Sequence, residues 1–525
     1  MKFFNTAGPV NRPNHYRIDP LHRWDLDEIL NLIAQEKYFI LHAPRQTGKT
    51  SSMLELQKYL NNSGEYNAIY MNVEVGQAAR NNIEDGIGAI VNELSGRVND
   101  EIQKEEILKI NKTIEANGVL NSALEYLCKT SDKPVVLFID EIDSLIGDTL
   151  ISVLRQLRAG YDKRPKLFPS SIILCGVRDI KDYRIRRSDD DIITGGSVFN
   201  IKAESLRLGS FSREDVKELL LEHTKETGQK FEDSVFDFIY NQTSGQPWLV
   251  NAIAYELTYK MKANRDRSVL LTKEMTEEAI NRVIISRATH LDQLADKLDE
   301  ERVRRVILPM ILNQEYSPNK DDKQYCIDLG LIADSNRGLV IANKIYKEII
   351  PRELTDGRQD DFKMRFAPDW ITKDGMLDTN DLFEKFTNFW RTNSEIWASQ
   401  IKGYQEAAPQ LVFQAFLQRV ANGGGLIDRE YGAGRGRTDL MLKWKKGKVE
   451  QRIVIELKIY SEKSPTISKI EEKALEQTYE YADRLNSTEN HIIIFDRDKI
   501  KKEWREKVYK KEVKYKNKTF TIWGI

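Results

Sequence analysis

Through the first two hundred residues, short apolar runs alternate with longer segments whose apolar positions recur at helical spacing, the pattern of a parallel sheet covered by helices. Five runs read as strands: Tyr38 to His42, Ala68 to Val73, Val135 to Asp140, Ile172 to Val177 and Val198 to Lys202. Residues 1–210 are therefore expected to form a five-stranded α/β core. From Ser212 onward the pattern is helical, and Phe211-Ser212-Arg213-Glu214-Asp215 offers a helix start, so 211–290 reads as a helical lid. Residues 291–355 give two helices and then two short apolar runs around a polar turn, Leu329 to Ile341, as in a winged-helix module. Periodicity fades over 356–377, a linker, and a last α/β domain occupies 378–525.

Strand alternation is most informative in that last domain. In Gln451-Arg-Ile-Val-Ile-Glu-Leu-Lys-Ile459, Ile453, Ile455, Leu457 and Ile459 take one face while Glu456 and Lys458 take the other, about 7 Å apart. The preceding run, Thr438 to Trp444, is joined to it through a hairpin turn closing on Gly447 and Lys448. Such a hairpin pairs residues whose numbers sum to 895, a condition that Asp439 and Glu456 meet.

Composition narrows the class. At 525 residues the chain is too long for one core, and 40% hydrophobic with 31% charged residues fits a globular, cytoplasmic protein. No apolar run approaches the ~20 residues needed to span a bilayer, and the start lacks a secretory signal. Cys128, Cys175 and Cys326 share no CxxC spacing and read as buried thiols. The net charge of −1 hides one asymmetry: Lys499 to Lys518 holds ten Lys/Arg against three Glu, a net of +7, either a solvated face or a phosphate contact.

Ala43-Pro44-Arg45-Gln46-Thr47-Gly48-Lys49-Thr50 has the A/G-x4-G-K-T/S form and lies between an apolar strand and a helical run from Ser51 to Leu60. Backbone amides from Arg45 to Lys49 would wrap the β-phosphate, with Gly48 permitting close approach; Lys49 would neutralise the β/γ oxygens and Thr50 would ligate Mg²⁺. About ninety residues on, Val135-Val-Leu-Phe-Ile-Asp140-Glu141 describes a buried strand delivering two acids to its carboxyl end. Asp140 would hold Mg²⁺ through water and Glu141 would polarise the attacking water. No guanine-specificity element Asn-Lys-x-Asp appears, which favours ATP. Phe4 to Pro9 would lie beside the base or pack on the sheet edge.

With Leu174-Cys-Gly-Val-Arg178 after the next strand and Ser244-Gly-Gln-Pro247-Trp248 opening a helix, this half resembles the signal-transduction ATPases with numerous domains and their origin-recognition relatives, within the AAA+ superfamily. The resemblance implies that Arg178 senses the γ-phosphate and that Pro247 packs against the adenine. The chain departs from it in lacking a winged-helix histidine for the β-phosphate and a clear arginine finger; Arg155, Arg158, Arg186 and Arg187 are the candidates, and a homo-oligomer is left open.

In the C-terminal hairpin, directly opposed residues share a face about 5 Å apart, so Asp439 and Glu456 would meet as paired carboxylates with no cation in the pattern to separate them. A hard ion, Mg²⁺ or Mn²⁺, suits such a pair, and Lys458 could stabilise developing charge. Gly432-Ala-Gly-Arg-Gly-Arg437 beside them suits phosphate approach, while Trp444 and Trp523 read as packing residues. Tyr404 to Asp496 resembles the PD-(D/E)xK nuclease superfamily, which implies Asp439 with Glu456-x-Lys458 as its core, Gln477 and Tyr481 as its Gln-x3-Tyr helix, and Glu406 as its first-helix acid.

The whole chain thus resembles bacterial and archaeal fusions of an AAA-like ATPase with such a nuclease. The expectation is an ATP switch governing access of DNA to a metal site, in defence against foreign DNA or in mobile-element control, under a protein or phage-derived trigger. The rival readings are a nucleotide-switched scaffold with an inactive nuclease domain and a winged-helix transcriptional switch kept alive by Arg302, Arg304 and Arg305.

Overall fold

The computed structural model describes residues 2–179, 184–186, 192–194, 199–286, 296–311, 318–335, 338–354, 370–400, 407–421, 425–429, 440–446, 449–461, 464–497 and 503–525. Two compact units emerge: Met1–Ile285 with Asp328–Gly330, and Ser286–Ile327 with Leu331–Ile525.

The first unit is built on a five-stranded sheet. Its strands are β1 (Tyr38–His42), β2 (Asn67–Asn72), β3 (Val135–Asp140), β4 (Ser171–Gly176) and, after a short hairpin of β5 (Arg184–Arg186) and β6 (Ile192–Thr194), β7 (Lys202–Arg207). The spatial order is β2-β3-β4-β1-β7, all parallel, with β4 inserted between the strand that leads into the glycine-rich loop and the strand that ends in Asp140. The fifth strand departs from expectation: it is Lys202–Arg207, not Val198 to Lys202. Lys202-Ala-Glu-Ser-Leu-Arg207 is polar because it is an edge strand bonded only to β1 and left partly exposed, so no apolar run marks it.

Both faces of this sheet are buried, as parallel sheets require. One face packs on α1 (Leu26–Ala34) and α2 (Lys49–Ser63) through Ile29, Ile33, Met53 and Leu56. The other packs on α3 (Ile83–Gly96), α4 (Glu101–Thr113), α5 (Ala116–Lys129) and α6 (Gly147–Ala159). Helices α7 (Arg213–Thr227), α8 (Asp233–Thr243), α9 (Pro247–Tyr255) and α10 (Lys273–Ile285) follow, α7 starting at Ser212 in a reciprocal capping box with Asp215.

The second unit holds α11 (Glu301–Ile311), most of α12 (Lys320–Asp328), a hairpin of β8 (Ile332–Ser335) and β9 (Gly338–Ile341), and α13 (Lys344–Leu354). Arg302 and Arg305 each place a guanidinium 2.9 Å from Asp322. Beyond α14 (Thr379–Gln400) and α15 (Ala408–Ala421) comes a six-stranded mixed sheet of β10 (Gly425–Arg429), β11 (Leu440–Lys446), β12 (Val449–Tyr460), β13 (Glu489–Asp496), β14 (Tyr509–Tyr515) and β15 (Lys518–Gly524), in the order β10-β11-β12-β13-β15-β14. Helix α16 (Ile467–Arg484) covers one face through Ala474, Leu475 and Ala482 against Ile492 and Ile494.

The basic run includes β14, an edge strand, where Lys510 pairs with Glu384 and Lys511 with Glu471, and charge on an edge also discourages strand addition. Trp444 and Trp523 are buried, as are all three cysteines. Among the described residues, no helix is long and apolar enough to cross a membrane.

Candidate functional site

The glycine-rich loop joins β1 to α2 through two left-handed residues, Gln46 at φ 57° and Gly48 at φ 90°. At Gly48 the left-handed φ favours glycine, and a Cβ there would sit 3.0 Å from the guanidinium of Arg23, which would have to give way. The loop's carbonyls are tied from within. Lys49, buried, points its ammonium at Ala43 O (3.0 Å) and Pro44 O (3.1 Å), and the Thr47 hydroxyl donates to Pro44 O at 2.7 Å. Ser51 at the start of α2 accepts a hydrogen bond from the Val10 amide.

Opposite the loop, β3 delivers a fully buried Asp140. Its Oδ2 accepts from Thr50 Oγ1 at 2.7 Å and from the Tyr70 phenol at 2.9 Å, while Oδ1 accepts the Glu141 amide at 2.9 Å. Burial, and next Asp140, push the Tyr70 phenol far above its ordinary range, so it serves as a donor. The Cys175 thiol of β4 is pushed well up by burial and then by Asp140. Glu141 sits at φ 56°, a left-handed position for a non-glycine residue of the kind found where a side chain must be aimed. Its carboxyl is raised by burial, with Lys49 pulling it back and Asp143 and Asp140 raising it further.

This donor set fits a magnesium nucleotide: a hydroxyl and a buried carboxylate share an edge beside a buried ammonium and a second, aimed carboxylate. Thr50 and Asp140 would hold the ion, whose chemistry is to neutralise and orient phosphate oxygens.

Next to the loop lies a cavity of about 140 Å³, lined by Thr6, Gly8, Tyr16, Thr47, Pro247 and Trp248 among others. The N-terminal segment forms one wall, and its Thr6 carbonyl accepts the Trp248 indole N–H at 2.9 Å. Arg23 closes the inner side. It donates to Thr47 O at 2.5 Å and to Gly209 O, and stacks 4.9 Å from the centre of the Phe211 ring. Burial lowers it to about 10, against the opposing pull of Asp215. Arg178 reaches Asp328 at 3.5 Å, an ion pair inside the first unit, while its neighbour Asp179 pairs with Lys202 at 2.7 Å.

In the second unit, β11 and β12 pair as Leu440↔Ile455 through Lys446↔Val449, the register in which paired numbers sum to 895. Asp439, one step beyond Leu440, lies outside the described residues, and so does Glu406. Pro409, in the first turn of α15, is tolerated there because the first-turn amides have no intrahelical partner. Glu456 is buried, and Lys458 Nζ lies 2.6 Å from its Oε1 and 3.0 Å from Gln477 Oε1. Lys458, which alternation places on the face of Glu456, thus stands beside it as its cation, while the pairing of Glu456 with Asp439 falls outside the described residues. The long Lys458 side chain folds back along the face it shares with Glu456, where α16 supplies Gln477. Tyr481, one turn further along α16, is buried with Arg484 stacked 5.7 Å from its ring centre.

Sequence reasoning assigned no part to Tyr70, Cys175 or Arg23. Tyr70 and Cys175 reach Asp140 from the two strands flanking β3, a pairing no local pattern reveals.

Fold and first site together define a P-loop ATPase core, and the second sheet with Glu456, Lys458 and Gln477 defines a nuclease-superfamily domain. The chain belongs to the AAA-like domain family, whose model matches residues 25–351; the model of the PD-(D/E)XK nuclease superfamily matches 404–505. No curated protein matches it in sequence. Among solved structures it is similar to a Walker-type ATPase of Pyrococcus abyssi (14% identity, 66% of this chain and 99% of that one, TM-score 0.46). It is also similar to Cdc6p from Pyrobaculum aerophilum (14%, 66% and 97%, TM-score 0.38) and to the ORC2 protein of Aeropyrum pernix in ADPNP and ADP complexes (13%, 67% and 97%, TM-score 0.36). An AAA-like ATPase domain joined to a nuclease-superfamily domain implies use of a nucleotide and a divalent metal.

Proposed function

We propose that the protein is an ATP-binding and ATP-hydrolysing switch that controls a Mg²⁺- or Mn²⁺-dependent nuclease acting on DNA, in defence against foreign DNA. The observation that carries the reading is the Thr50–Asp140 hydrogen bond of 2.7 Å beside Lys49 and Glu141, in a chain whose second unit brings Lys458 to Glu456 and Gln477. Lys49 leaves the Ala43 and Pro44 carbonyls for the β/γ-phosphates, Glu141 accepts the proton of the attacking water, and Arg178 exchanges Asp328 for the γ-phosphate. Pro247 and Trp248 face the adenine. In the second unit Asp439 and Glu456 would hold the metal, whose chemistry would be to activate a water, while Lys458, oriented by Gln477, offers its charge to the phosphate.

The winged-helix transcriptional reading loses support because Arg302 and Arg305 are engaged with Asp322. The test incubates purified protein with plasmid, single-stranded DNA and RNA, with Mg²⁺ or Mn²⁺, with and without ATP. Asp439→Ala is expected to abolish cleavage and leave ATP hydrolysis, and Lys49→Ala to remove the response of cleavage to ATP. Cleavage that survives Asp439→Ala overturns the nuclease assignment, and no cleavage of any substrate by the wild type favours the scaffold with an inactive nuclease domain.

A further inference from the structure

The carboxylate at the end of β3 is held by more than the P-loop. Asp140 shares the face of the sheet that carries Val136 and Phe138, the face covered by α2, which is how Thr50 reaches it. On the neighbouring strand Tyr70 stands level with Phe138 on that same face, and its hydroxyl reaches two residue pairs further along the ladder, to Asp140. The ring is itself fixed: the guanidinium of Arg97, anchored by Glu93 at 2.7 Å, lies 5.4 Å from its centre.

We propose that Tyr70 is a positioning residue for the magnesium end of the nucleotide site, setting the orientation of the Asp140 carboxylate and hence the affinity for the metal–nucleotide complex. The inference rests on the nucleotide reading above. Thr50 and Tyr70 donate to one and the same oxygen, Oδ2, while the other oxygen is held by the Glu141 amide. A carboxylate so tied cannot rotate about Cβ–Cγ without disturbing all three hydrogen bonds at once. Thr50 is the donor that must turn its oxygen toward the metal, so the bond from Tyr70 is the one that keeps Oδ2 in place during that exchange. Partners behind a metal-site carboxylate commonly act this way, orienting it without touching the ion.

Tyr70→Phe keeps the ring and its contact with Arg97 and removes only the hydroxyl. Binding of a fluorescent ADP is followed as Mg²⁺ is titrated, with a parallel measurement in excess EDTA. The variant is expected to need about three to ten times more Mg²⁺ for half-maximal binding, with the EDTA affinity unchanged, because the hydroxyl acts through the metal's carboxylate alone. In an Asp140→Asn background the same substitution is expected to change nothing further, whereas a general loosening of the core would add in both backgrounds. An unchanged Mg²⁺ midpoint in Tyr70→Phe, or an equal loss in EDTA, or additivity with Asp140→Asn, overturns the proposal. Failure of the wild type to bind ADP under any condition overturns instead the nucleotide reading on which it rests.

Discussion

Arg23 is the residue on which most of the nucleotide cradle's shape converges. Its guanidinium serves the Thr47 carbonyl in the loop and the Gly209 carbonyl just before α7, and so ties the P-loop to the start of the helical segment. The Thr47 carbonyl is partly buried and Gly209 is exposed, so water can replace part of what is lost, and Arg23→Met, which keeps the aliphatic stem, is expected to lower unfolding free energy of the first unit by about 1 kcal/mol. The same variant should also weaken nucleotide binding, and denaturant titration with and without ADP measures both effects. Gly48 shows why the sequence motif alone underdescribes the loop: the glycine was expected for the approach of a phosphate, yet its φ of 90° already favours it in the fold.

Among the elements, β13 carries a buried histidine beside a half-buried glutamate. His491 lies 3.5 Å from Glu489, and is held below its ordinary 6.5 mainly by burial; Glu489 raises it and Lys510 lowers it. Glu489 is itself held below 4.5, its own burial outweighed by hydrogen bonds from His491, Thr379 and Gln451, and stays charged in folded and unfolded states near neutrality. The unfolded chain therefore takes up the imidazole proton first as pH falls below 6.5, and the stability that the neutral histidine contributes is lost between there and its lower folded value. Unfolding free energy is expected to fall by at most about 1.4 kcal/mol per pH unit in that window, and His491→Gln to flatten the slope. Equal slopes in the two proteins would refute it.

Hairpin and edge illustrate what was readable at this scale. The register of β11 on β12 followed from turn position and alternation, because a one-residue slip would turn Ile453 and Ile455 to the wrong face. Strand β7 was misplaced because its residues answer to the edge they occupy and not to a core.

At the scale of the whole molecule, each set of described candidate residues lies inside a single compact unit. Every P-loop residue, Asp140, Glu141 and Pro247 belong to the first, and Glu456, Lys458 and Gln477 to the second. Nucleotide that binds only the folded first unit should stabilise it by about 2.7 kcal/mol at a hundredfold excess over Kd. Calorimetric scans are expected to show the ADP-dependent transition rising while Lys49→Ala removes the shift and Glu456→Gln preserves it. A shift that persists in Lys49→Ala would place the nucleotide elsewhere.

Some of this was fixed by sequence alone, because it depends on order and period: a strand, a glycine-rich loop and a helix in succession, two acids closing an apolar run, and two polar residues alternating out of an apolar strand. These local features specify which groups are available and which face they occupy. Which groups meet was decided only in three dimensions, since strand order places Tyr70 and Cys175 on either side of Asp140 and lets Arg23 fill the space above Gly48. Lys458 divides between the two: alternation along β12 already sets Glu456 beside it, whereas its second partner, the Gln477 amide nineteen residues on, is brought there by the packing of α16 on β12.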